Sequence, residues 1–355
     1  MAKGTLLYFV SDLHGSSLCF RKFVNATQVY KPNILVLGGD VAGKAIQSIV
    51  RGPNGRWNCT FIGKRYELTE GSELTELERL IADHGYYPYR AEPGELEAME
   101  AEGTLDELFG RLMRERLAEW LDIADTRLRP QGVPLYLMLG NDDPPELAEM
   151  LDQAPWGVHA EGKVVHLDDE HEMISWGYAN PTPWHTYREQ NEQELAAAYA
   201  SMADKIEHPE RAVFNLHPPP FDTQLDDAPA LDENLTVQAT LGQVQMRAVG
   251  STAVRDIVAE RQPLVGLHGH IHESSGIRRL GKKRKGLVLN PGSDYSTGAL
   301  NGALVSLNKD RADAQLVRGL DGGLRAGRGR GPGRRGRGHV GGPRVRVRGV
   351  RRAGS

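Results

Sequence analysis

Six short apolar runs constrain this chain more than any other feature. They lie at residues 6–10, 34–37, 135–139, 212–216, 264–267 and 287–289. Each is of strand length and, Asn215 aside, continuously apolar, the pattern of strands covered on both faces in layered α/β folds. Between the first two runs, residues 17–30 have helical length and an apolar face carrying Leu18, Phe23 and Val24, which makes a βαβ unit. Residues 163–167 and 173–177 read as an antiparallel hairpin across the polar 168–172, and 303–307 with 314–318 as a second across 308–310. The expected fold is α/β, with one partly parallel sheet and one fed by hairpins.

Residues 51–130 interrupt this pattern with helix signals. Thr104 and Glu107 form a capping-box pair ahead of Leu105, Leu108, Leu112, Met113, Leu117, Trp120 and Leu121, with Pro130 beyond. The spacing predicts an amphipathic helix of roughly 20–25 residues. Residues 72–83 form a shorter one, stopped at Gly85. The segment reads as an inserted helical cap packed on the core, with 86–90 as the stretch that could lean over a site.

The formal net charge of −4 is an average of two unlike pieces. Residues 319–355 hold eleven Arg, thirteen Gly and one acid, for a charge of +10, and the remainder carries −14. A tail of that composition cannot bury a core and is expected to be disordered, leaving residues 1–318 as one enlarged domain. The tail could give weak, salt-sensitive, non-specific contact with nucleic acid, although it has no aromatic residue to stack on bases. No uncharged apolar stretch approaches the roughly 18–20 residues of a membrane span, so no membrane partner is expected. The opening apolar run meets Asp12 and His14 too soon for an export signal, and two cysteines make no disulfide framework. A reducing cytoplasm is the expected compartment. The sequence assigns no oligomeric state.

Chemistry sits where the apolar runs stop. The first leads to Asp12-Leu13-His14, the second to Gly39-Asp40 and the third to Gly140-Asn141-Asp142-Asp143. The fourth leads to His217 and the fifth to His268-Gly269-His270-Ile271-His272. Ligands of open α/β sheets bind beyond the carboxyl ends of strands, so these residues should meet at one edge. Singly, each motif is a common turn or strand-end arrangement; their ordered recurrence after buried strands is the signal. Carboxylate, amide oxygen and imidazole are donors of middling hardness, suited to two divalent ions drawn from Mn, Fe, Zn or Ni. Such a pair, roughly 3.5–4 Å apart, can bind a water as hydroxide and clamp a phosphoryl group during in-line displacement.

The series Asp12-x-His14, Gly39-Asp40, Gly140-Asn141-x-Asp143, His217 and Gly269-His270-x-His272 resembles the full motif set of the calcineurin-like metallophosphoesterases. The segments Asn180-Pro181-Thr182-Pro183-Trp184 and Asn290-Pro291-Gly292-Ser293 look closest to the Icc-like phosphoesterases. The resemblance spans residues 1 to about 318. It implies a four-layer α-β-β-α sandwich of two mixed sheets, and a phosphomonoester or phosphodiester as substrate. It also implies that Asp12, His14 and His272 hold one metal, that Asn141, His217 and His270 hold a second, and that Asp40 bridges both. His268 matches no ligand position, and a supporting role beside the ligands is expected of it.

One position departs from the family pattern. Where its most active members carry a histidine that protonates the leaving group, this chain has Asp142. A carboxylate beside a phosphate is repulsive, and its usual pKa of about 3.9 suits it poorly as an acid. Either the substrate has a leaving group that needs no acid, or His185 or Arg188 in the loop after the first hairpin acts instead. The rival readings are a non-catalytic metal- or phosphate-binding scaffold and a nuclease aided by the basic tail.

Overall fold

The computed structural model describes residues 4–280, 286–320 and 323–326. The chain begins with β1 (Thr5–Val10), α1 (Ser17–Val29) and β2 (Ile34–Gly38). An insertion between β2 and the next core strand follows, made of β3 (Ile46–Arg51), β4 (Trp57–Phe61), β5 (Lys64–Leu68), α2 (Ser72–Asp83), β6 (Tyr87–Ala91), α3 (Glu95–Glu102) and α4 (Leu105–Leu128), the last of which packs on the main core. Next come β7 (Leu135–Met138), α5 (Ala148–Asp152), β8 (Val158–His159), β9 (Val164–His166), β10 (Glu172–Trp176), α6 (Glu192–Ala203) and β11 (Val213–Leu216). Four short strands, β12 (Asp227–Pro229), β13 (Ala239–Thr240), β14 (Gln243–Val244) and β15 (Met246–Ala248), precede α7 (Thr252–Arg261) and β16 (Val265–Leu267). The last strands are β17 (Gly276–Leu280), β18 (Gly286–Asn290), β19 (Leu300–Asn308), β20 (Arg311–Leu320) and β21 (Gly323–Ala326).

Every one of the six apolar runs is a strand. In one sheet of order β21-β20-β19-β1-β2-β7-β8, β1, β2 and β7 are mutually parallel. In a second sheet of order β17-β18-β16-β11-β10-β9, β10, β11, β16 and β18 are parallel. Both expected hairpins form, as β9 with β10 and β19 with β20.

Alternation along the strands divides the core. Tyr8, Val10, Leu35, Leu37, Leu135 and Leu137 face α1, α4 and α5. Their neighbours Leu7, Phe9, Ile34 and Val36 join Met173, Val213, Val265, Leu267 and Leu289 of the second sheet in a shared cluster. Ile174, Phe214, Leu216 and Val288 on that sheet's other face pack against Leu195 and Tyr199 of α6 and Val254 and Ile257 of α7. The period of two along each strand sends consecutive side chains into different layers, so all of them are buried.

The inserted segment carries strands besides the expected helices. Its β3–β6 form a four-stranded sheet, closed over Leu74, Leu77 and Ile81 of α2 by Ile49, Cys59 and Phe61. β4 and β5 join through Ile62-Gly63, both at positive φ (47° and 72°), which is the conformation of a tight two-residue hairpin turn. Tyr87 of β6 is buried and its hydroxyl accepts a hydrogen bond from Gly43 N at 2.8 Å. The capping box also fails to form. Thr104 sits at φ −98°, ψ −5° and makes no side-chain cap bond. Its N–H and hydroxyl instead turn back to Met99 O, closing the end of α3 beyond the left-handed Gly103.

β20 runs to Leu320 and β21 pairs with it, so the first residues of the segment expected to be disordered lie in strands. Residues 327–355 lie outside the described residues. No helix among the described residues is long and apolar enough to cross a membrane.

Trp120 of α4 stacks on Phe20 of α1 with ring centroids 4.4 Å apart and is fully buried. Trp120→Ala is expected to lower unfolding free energy in urea by about 3–5 kcal/mol. Thr104→Ala, with no cap bond to lose, should stay within about 0.5 kcal/mol of wild type.

Candidate metal centre

The parallel strands of both sheets end on one side, and the polar motifs follow directly. Asp12 N donates to Gly39 O at 3.0 Å, and His14 N donates to Asp40 O at 2.9 Å, stitching the loop after β1 to the loop after β2. Asp12, His14, Asp40 and His270 all have positive φ, between 41° and 66°. Non-glycine residues seldom adopt that region, and holding four of them there costs free energy that the surrounding structure must offset. The motif glycines answer to space. A Cβ on Gly140 would lie 2.0 Å from Asp40 Oδ1, and one on Gly269 would lie 2.3 Å from Asp12 Oδ2. Any larger residue there would push a candidate donor away.

Two donor sets result, with Asp40 in both. Asp12, His14, Asp40 and His272 offer atoms all within 4.8 Å of one another, and so do Asp40, His217 and His270. In the first set His14 Nε2 lies 3.0 Å from His272 Nε2 and 3.5 Å from Asp40 Oδ2, while His272 Nε2 is 3.4 Å from Asp12 Oδ1. In the second, His217 Nε2 lies 3.4 Å from Asp40 Oδ1 and 3.1 Å from Asn141 Oδ1.

The protonation pattern of His217 tests whether a cation fits. Its Nδ1 is 2.8 Å from Gly38 O, which can only accept, so Nδ1 carries the proton. With Nδ1 so bonded, His217 turns Nε2 to the Asn141 amide oxygen and the Asp40 carboxylate, so that a proton or a metal cation must sit between them. The amide orientation is fixed independently, because Asn141 Nδ2 donates to Thr186 Oγ1 at 2.9 Å and to Asp142 Oδ1 at 3.0 Å. An imidazole nitrogen, an amide oxygen and a carboxylate oxygen converging on one point suit a divalent cation in place of that proton, and the donor set is that of a middling-hardness metal. The charges respond to the same crowding. Burial lowers the His217 pKa, but Asp40, joined by Asp12 and the Gly38 carbonyl, outweighs it and holds the ring up at about 9, so a cation entering here replaces the Nε2 proton. Burial, helped by His217, pushes His270 down to about 4.

The remaining residues support this edge. Asp143 is fully buried and its carboxylate accepts from Gly140 N, Val41 N and Ala42 N at 2.7–3.0 Å, tying the loops after β2 and β7 together. Burial, with Asp40 adding to it, raises its pKa to about 7. His268 Nδ1 lies 2.7 Å from Leu216 O, so its ring braces β11 beneath the donors.

Neither loop residue expected to meet substrate stands free in the site. Arg188 is buried, ion-paired with Glu161, stacked 4.2 Å over the Tyr178 ring, and donates to Gly140 O at 3.1 Å. Its backbone N donates to Asn141 O at 3.1 Å, so Arg188 positions the Gly140-Asn141 turn. His185 is exposed, at φ 50°, with its N–H on Thr182 O at 3.3 Å. Sequence reasoning passed over Lys44, whose Nζ meets Asp142 Oδ2 at 2.5 Å. It also missed Tyr295, whose ring sits 4.8 Å from that of His14, and Thr186. Lys44 follows Asp40 by four residues in a glycine-flanked loop, a nearness that offered the one sequence clue to it.

Arg188→Ala takes the guanidinium from buried Glu161, leaving it the Gly177 N–H at 3.0 Å and His159 at 3.6 Å, and is expected to cost about 3 kcal/mol in urea unfolding. Arg188→Met with Glu161→Leu, which removes both charges, should recover most of that loss.

No family model matches the chain, and no curated protein does. Among solved structures it is similar to TT1561 of Thermus thermophilus, with a TM-score of 0.49 and 12% identity over 88% of this chain and 98% of that one. It is also similar to a 5'-nucleotidase precursor from the same organism, with a TM-score of 0.37 and 13% identity over 88% of this chain and 54% of that one. A third is the NAD nucleotidase of Haemophilus influenzae, with a TM-score of 0.35 and 12% identity over 92% of this chain and 60% of that one. In its ordered motif series, and in the gathering of those residues at one sheet edge, the chain resembles the calcineurin-like metallophosphoesterases.

Proposed function

We propose that this chain is a dinuclear metal-dependent phosphoester hydrolase, built as a four-layer α-β-β-α sandwich. The observation that carries the reading is the pair of donor sets sharing Asp40. Asp12, His14 and His272 would hold one ion, Asn141, His217 and His270 the other, and Asp40 would serve both. Bound divalent ions, among Mn, Fe, Zn or Ni, would supply Lewis-acid polarisation of a phosphoryl oxygen and an acidified water.

The chain's own residues do the rest. His217 is locked by Gly38 O in the tautomer that presents Nε2 to the ion. Asn141 turns its oxygen to His217 and its NH₂ to Thr186 and Asp142, and the N–H on Asp142 is the one a phosphoryl oxygen would take over. Asp142 cannot serve as an acid at neutral pH: burial raises its pKa, but Lys44 outweighs burial and holds it below the usual carboxylate range. Substrates whose leaving group departs without a proton, such as aryl esters, fit this site best. Arg188 acts from behind, holding the Gly140-Asn141 turn. The free, buried Cys19 and Cys59 suit a reducing compartment such as the cytoplasm.

Hydrolysis of an aryl phosphodiester with Mn, Ni or Zn is the test. Asp40→Ala should abolish turnover and reduce bound metal below one ion per chain, whereas His217→Ala should abolish turnover and keep one. Full activity in either variant, with folding unchanged by circular dichroism, would refute the assignment. Stoichiometric metal without turnover on any ester would favour a binding scaffold instead.

A further inference from the structure

The two carboxylate oxygens of Asp142 have different partners. Oδ1 accepts from Asn141 Nδ2 at 3.0 Å, and Oδ2 pairs with Lys44 Nζ at 2.5 Å. Two anionic oxygens on one centre, one on an amide N–H and the other on an ammonium, are also what the non-bridging oxygens of a phosphoester present. We propose that Asn141 and Lys44 form a clamp for two phosphoryl oxygens, and that the Asp142 carboxylate fills this clamp until the substrate anion displaces it. The proposal rests on the phosphoesterase reading and assigns to Lys44 a role in substrate binding.

The surroundings are built for such an exchange. The backbone on either side is held: Val41 and Ala42 donate to Asp143, Gly43 donates to the Tyr87 hydroxyl, and Asp142 N donates to Asp40 Oδ1 at 3.0 Å. What can move is the pair of side chains. Lys44 is 46% exposed on a flexible four-carbon stem, and Asp142 is 17% exposed at the mouth of the site. The neighbouring acid shows the contrast. Asp143 has three backbone N–H partners and is fully buried, so it is a fixed brace. The carboxylate of Asp142 is held by side chains alone, and rotation about χ1 would release both partners without disturbing the loops. Asp142 also accounts for the absent histidine: an anion seated in the clamp keeps Lys44 aimed inward, and an incoming phosphoryl group, doubly charged in a monoester or free phosphate, replaces it.

Inorganic phosphate is the probe, titrated by calorimetry into the full chain with and without Mn. A charge-assisted bond gained or lost predicts changes of about tenfold. Asp142→Asn should tighten phosphate binding about tenfold, and Lys44→Met should weaken it about tenfold. Lys44→Arg should stay within about threefold of wild type, and Lys44→Met should cost more in the Asp142→Asn background than alone. Mn stoichiometry should be the same in every variant. Asp142→Asn binding phosphate no tighter than wild type would overturn the occupied clamp, and Lys44→Met without effect would overturn the role of Lys44. Loss of Mn binding in the wild type, with the order of phosphate affinities kept, would overturn the phosphoesterase reading and leave the clamp standing.

Discussion

The carboxylate of Asp40 is the point on which this structure depends. It leaves the end of β2 at a positive φ, reaches His14 on one side and His217 on the other, and accepts the N–H of Asp142. Through these contacts it touches the loops after β1, β7 and β11. A buried carboxylate so placed needs positive charge, and the nearest groups are imidazoles and acceptors. The fold thus gathers a deficit of positive charge at one edge, and a pair of divalent ions would relieve it.

Much of the surrounding structure holds that edge in place. Asp143 fastens two loops with three backbone hydrogen bonds, and Gly140 and Gly269 leave room for the carboxylates. Arg188, paired with Glu161 and bonded to Gly140 O, fixes the turn that presents Asn141. His268 and His217 are both anchored through Nδ1 to backbone carbonyls of neighbouring strands. Rigid support of this kind keeps donors within a few tenths of an ångström of a useful geometry. Lys44 and Asp142, by contrast, meet by side chain alone.

The six central strands β1, β2, β7, β11, β16 and β18 were legible because burial on both faces leaves a plain signature, a nearly continuous apolar run. The strands of the insertion were not. Residues 57–61 and 64–68 mix charged, polar and aromatic residues on half-exposed faces, and their turn carries Ile62 where an asparagine would have announced it. Thr104 and Glu107 have the right spacing for a capping box, yet the preceding helix claimed Thr104 for its own end. Arg188 in a proline-rich loop resembled a surface arginine, and only the packing of Tyr178 and Glu161 around it shows otherwise.

By itself, the sequence determined which residues stand at strand ends and what chemistry their donors suit. Strand periodicity and donor type are local properties, readable along the chain. Tertiary structure alone decided which donors share a neighbour, that the Asn141 oxygen faces His217, and that Lys44 meets Asp142 across 98 residues. Those facts depend on how two sheets pack and how their loops converge, and no local pattern encodes a distance between segments so far apart in the chain.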